Sequence, residues 1–83
     1  MSQILDYMVS TVRSYLDREI DIDEFRQSFA GAHVYARNSP QDKEANQLAN
    51  KLMPPIAEFS GGHRSEQSLR DAMRSETVVL HHT

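Results

Sequence analysis

The residues of this 83-residue chain that could do chemistry fall into three groups. The first is the acidic run DREIDIDE at residues 17–24, where Asp17, Glu19, Asp21, Asp23 and Glu24 surround Arg18. Alternating acids suggest a calcium loop, but that loop needs glycine at its sixth position and glutamate at its twelfth. Counted from Asp21, those positions hold Arg26 and Ala32, and the match fails. The second group is His33, His63, His81 and His82. They show no helical i, i+4 pair and no HExxH, and cysteine ligands are missing, so the reading assigns no metal and no cofactor. The third is Gly61-Gly62-His63-Arg64, followed by Ser65. Free backbone amides, a cation and a helix start are the parts of an anion site. A helix stop followed by a cap explains the same residues.

No catalytic residue is assigned. An activated serine needs a neighbouring base, and Ser2, Ser39 and Ser65 each precede a helical pattern, where a hydroxyl caps. The acids at 17–24 fall on an exposed turn, and so short a chain has little room for a substrate pocket. The expectation is a protein that is not an enzyme.

Charge says more about partners. The net charge is −3, yet without residues 17–24 seven acids and eight bases remain. The acidic character is therefore concentrated in one short segment. Phosphate repels such a face, which disfavours direct nucleic-acid binding, whereas a basic protein would be steered toward it. Arg13, Arg26, Arg37, Lys43, Lys51, Arg70 and Arg74 are dispersed, so no basic recognition helix is expected. Apolar runs reach only two or three residues, which predicts no membrane span. The start, MSQILDYMVSTVR, has no early base of the signal-peptide kind. With no cysteine in the chain, the reading places it in a reducing cytoplasm.

Helices must position these groups. Leu5, Met8, Val9, Val12, Tyr15 and Leu16 form one apolar stripe, predicting a helix over 3–18 with Ser2 as cap. Asp21 or Asp23 caps a second helix over 22–36. With Asp21 in that role, Glu24 completes a capping box, and Ile20 and Phe25 a hydrophobic staple. Gly31 weakens the second half, so AGAHVYARN reads as a frayed end or irregular link. Ser39-Pro40 signals a third helix over 40–60, kinked or broken at Pro54-Pro55, with Gly61 as its left-handed stop. Ser65 caps a fourth over 65–75. The expected fold is all-α: a small four-helix bundle, one helical domain over 1–76 and a C-terminal tail over 77–83, either an edge strand or loose. Leu16, Phe25, Phe29, Leu52, Ile56 and Phe59 are expected to share one buried cluster.

SYLDREIDIDEFRQSF (14–29) resembles the opening of the colicin D immunity-like family of small bacterial proteins. The shared features are a helix ending in an aromatic–leucine pair, a short turn with isoleucine, and a helix opening acid–acid–phenylalanine. IAEFSGGHRSEQSLRDAM (56–73) resembles the second half of small actinobacterial proteins grouped loosely with them. The resemblance implies a helical bundle whose acidic surface blocks the basic active site of a nuclease toxin. Asp17, Glu19, Asp21, Asp23 and Glu24 would then be the partner-binding charges. Two other readings stand beside it. One is a phage- or host-encoded regulatory inhibitor using the same surface. The other is a structural adaptor or homodimer using Tyr7, Tyr35 or the tail residues Val78, Val79 and Leu80.

Overall fold

Local capping chemistry sets most of the helix starts. The computed structural model describes residues 3–81, with side chains described through Glu76. It contains four helices: α1 (Gln3–Leu16), α2 (Ile22–Arg37), α3 (Lys43–Ser60) and α4 (Glu66–His81). No strand occurs among the described residues, so the fold is all-α. The chain divides into two compact units, residues 1–49 and 50–83, with the division inside α3. The cap expected at Ser2 lies outside the described residues, as do His82 and the side chains of Val78, Val79, Leu80 and His81.

Asp21 is the N-cap of α2, and its carboxylate accepts the Glu24 N–H at 2.8 Å. Ser65 caps α4 in the same manner, its hydroxyl accepting from Ser68 N–H at 3.1 Å. The start of α3 differs from the expectation. Asp42 is the cap, accepting from Ala45 N–H at 3.3 Å, while Ser39 and Pro40 form a turn closed by Asp42 N–H to Ser39 O at 2.9 Å. Proline's fixed φ suits the second position of a turn as well as the first of a helix. Asn46 stabilises the turn: its side-chain amide donates to Ala36 O at 2.9 Å, Ser39 O at 3.3 Å and Asp42 O at 2.9 Å.

Three further expectations are corrected. Gly31 does not fray α2, which continues to Arg37. The left-handed residue after α3 is Gly62 (φ 81°), one position beyond Gly61. And α4 runs on to His81, so residues 77–81 are helix rather than strand or loose tail. The double proline does not split α3. It removes the N–H partners of the Asn50 and Lys51 carbonyls, a loss of roughly 0.5–1.5 kcal/mol per hydrogen bond. Leu52, Pro55 and Ile56 are all buried on one stripe through this stretch, and their burial offsets that loss.

In the first unit the buried side chains are Met8, Val12 and Tyr15 of α1, Phe25, Phe29, Ala32 and Ala36 of α2, and Ala45, Leu48 and Ala49 of α3. Tyr15 and Phe25 pack with ring centroids 5.1 Å apart, and Phe25 stacks on Phe29 at 5.5 Å. The buried Thr11 hydroxyl donates to Tyr7 O at 2.8 Å, which satisfies it within its own helix. In the second unit Leu52, Ile56, Leu69 and Met73 are buried, and Lys51 reaches Glu76 at 3.6 Å. Of the six residues expected in the core, Leu16 and Phe59 are only half-buried.

Candidate functional site

The five acids at residues 17–24 stand on the connection between α1 and α2, and the backbone there is tightly held. Beyond Leu16 the chain closes α1 with two hydrogen bonds, Glu19 N–H to Ser14 O at 2.8 Å and Arg18 N–H to Tyr15 O at 3.0 Å. This is the Schellman pattern, which places its next-to-last residue in the left-handed region. That residue is Arg18, with φ 63°. Three residues later Asp21 caps α2. Beneath the turn, Tyr15 and Phe25 tie the end of one helix to the start of the next. The segment is thus a hydrogen-bonded turn rather than an irregular loop.

All five carboxylates are exposed. They divide into two sets by the helix end that each one meets. Asp21, Asp23 and Glu24 lie at the start of α2, where backbone N–H groups and the positive end of the dipole favour an acid. Local structure explains all three. Asp23 also faces Arg26 at 4.0 Å, an exposed contact of little energetic weight. Asp17 and Glu19 follow the opposite kind of end, the negative end of the α1 dipole, although the Arg13, Ser14 and Tyr15 carbonyls there accept backbone N–H groups. An acid there is disfavoured by roughly 0.3–1 kcal/mol. Between them Arg18 occupies a backbone conformation that costs a non-glycine residue roughly 1–2 kcal/mol. The three consecutive residues Asp17, Arg18 and Glu19 therefore all work against local stability.

The glycine loop is built differently. His63 and both glycines are exposed. Arg64, however, is committed: its Nε and Nη2 reach Glu58 Oε1 at 3.0 and 2.7 Å, and Nη1 donates to Ser68 Oγ at 2.9 Å. Its charge is matched by Glu58, and the Ser68 N–H is taken by Ser65. The features that suggest an anion site in the sequence are here largely absorbed by the helix stop and the cap.

Among the described residues no group of three or more histidines, aspartates or glutamates is gathered as a metal site. No helix among them is long and apolar enough to cross a membrane. Tyr7 and Tyr35, which the sequence offers for an adaptor or homodimer surface, are both exposed and line a groove of about 320 Å³ between α1 and α2, together with Ile4, Gln27 and Gly31; the groove itself is not foreseen by the sequence. Its signal in the sequence is faint, because Tyr7 and Tyr35 stand 28 positions apart and share a face only once the helices pair. No protein family, curated protein or solved structure matches this chain.

Proposed function

We propose that this protein is a non-enzymatic inhibitor of the immunity or antitoxin kind, acting in the cytoplasm, whose acidic turn covers a basic surface on a partner protein such as the active-site cleft of a nuclease toxin. The observation that carries this reading is the placement of Asp17 and Glu19. They are exposed acids at a helix end that disfavours acids, flanking a strained Arg18. Residues that break local rules without a compensating contact inside the fold are the ones expected to serve a function. A basic cleft would supply what the fold does not, since the partner's cations neutralise charges that α1 repels. Asp21, Asp23 and Glu24 extend the same surface and raise its potential, which speeds encounter with a basic partner. The resemblance of residues 14–29 to the opening of immunity proteins agrees with this role. Nucleic acid is not proposed as a direct ligand, because the surface carries phosphate's own sign.

The test is capture of a partner from the source cell, followed by association kinetics with the captured protein at low and high salt. Asp17→Lys and Glu19→Lys should slow association at low salt, with the difference shrinking as salt rises. Neither residue caps a helix, so the fold survives both changes. A partner that binds both variants at the wild-type rate would end the proposal.

A further inference from the structure

A proline inside a helix has no N–H to give the carbonyl four residues before it, and its ring crowds that carbonyl. In α3 this happens twice in succession. Pro54 and Pro55 leave the Asn50 and Lys51 carbonyls without their helical donors, on two residues that are both exposed. The chain divides into its two compact units at the same turn, between Ala49 and Asn50. A chemical weakness in the backbone and a boundary in the packing therefore fall on one turn of one helix.

The two units are also held by different means. Residues 1–49 bury the rings of Tyr15, Phe25 and Phe29, packed on one another at 5.1 and 5.5 Å. Each ring takes roughly 150–250 Å² out of water. Among the described residues of 50–83 the buried side chains are Leu52, Pro55, Ile56, Leu69 and Met73, with no aromatic, and Phe59 is only half-buried. The ion pairs of that unit, Lys51 with Glu76 and Arg64 with Glu58, are partly exposed and add little.

We propose that α3 opens at residues 50–53, and that residues 50–83 unfold as a separate cooperative unit while residues 1–49 stay folded. Opening of this kind runs along supersecondary units, and here the unit is the second half of α3 with α4. It bares Leu52, Ile56, Leu69 and Met73. It leaves standing the connection that carries residues 17–24, because Tyr15 and Phe25 beneath that connection both belong to the first unit. The acidic turn thus keeps its shape in the half-open protein.

Native-state hydrogen exchange of the full chain, followed amide by amide at rising denaturant, tests this. The slowest amides of residues 56–76 should share one opening free energy, with protection at least about ten-fold lower than that of the slowest amides of α1 and α2. Pro54→Ala returns a donor to the Asn50 carbonyl at an exposed position. It should slow exchange at residues 56–76 about ten-fold or more. Gly31→Ala is the counterpart in the first unit. Gly31 is not left-handed and a Cβ there meets no atom within 4 Å. The change should slow the slowest amides of α1 and α2 about 2- to 5-fold. Residues 56–76 should not respond to it, because α2 is folded both before and after their unit opens. One opening free energy shared by all four helices overturns the proposal. So does a Gly31→Ala effect that reaches residues 56–76 in full, or a Pro54→Ala change that leaves their exchange as it was.

Discussion

The ends of α1 and α3 are closed by the same pair of hydrogen bonds and built from opposite chemistry. After α1, Glu19 N–H reaches Ser14 O at 2.8 Å and Arg18 N–H reaches Tyr15 O at 3.0 Å. After α3, His63 N–H reaches Glu58 O at 2.8 Å and Gly62 N–H reaches Phe59 O at 3.1 Å. Position for position, Asp17, Arg18 and Glu19 at one end match Gly61, Gly62 and His63 at the other. The second end obeys local rules: a glycine takes the left-handed conformation, and Arg64 sits nearby with its own acid, Glu58. The first end breaks them at each of its three residues. One backbone solution can thus be reached with or without local help. The difference marks which end is explained by folding alone.

The largest test strikes the floor beneath the irregular end. Phe25 is fully buried against Tyr15 and Phe29. Phe25→Ala should cost on the order of 3–5 kcal/mol, most of what a chain this size has to spare. A melting temperature within about two degrees of the parent would show that the ring does not hold the turn.

The next test exchanges the two left-handed residues. Gly62→Ala should destabilise by about 1 kcal/mol, since alanine is strained at φ 81°. Arg18→Gly should stabilise by up to about 1 kcal/mol, the relief of strain being partly cancelled by glycine's freedom in the unfolded chain. Thermal melts read both, at roughly 4–8 °C per kcal/mol for a domain of this length. Equal signs at the two positions would dissolve the comparison.

Charge at the irregular end comes next. Asp17→Lys and Glu19→Lys should each stabilise the free protein by about 0.3–1 kcal/mol at low salt, because a cation suits the end of a helix. The gain should fade at high salt in the same melts. If both changes destabilise, these acids serve the fold and not a partner. The smallest effect belongs to the regular end. Glu58→Gln removes the partially exposed pair with Arg64 and should cost about 0.2–1 kcal/mol in chemical denaturation.

Where an element is decided within three or four residues, the sequence by itself determined it. Asp21 and Ser65 cap the helices they precede because the accepting oxygen and the N–H are neighbours in the chain. The apolar stripes around Met8, Val12 and Tyr15 and around Phe25 and Phe29 announce which faces are buried, because helical periodicity is local too. The acidic run was equally legible, being contiguous. The tertiary structure decided what local signals left open or placed wrongly. Ser39-Pro40 announces the third helix, which starts instead after Asp42. Asn46 reaches back across ten residues to Ala36 O, holds the turn before Asp42 and leaves Asp42 as the cap. Pro54-Pro55 reads as a kink or a break, and burial of Leu52, Pro55 and Ile56 along one stripe keeps α3 continuous. The division of the acids into those a helix end favours and those it opposes depended on one register. Only with Leu16 ending α1 and Arg18 turned left-handed do Asp17 and Glu19 fall on the wrong end of a dipole. No residue type encodes that position; it follows from where the packing of Tyr15 on Phe25 stops one helix and lets the next begin.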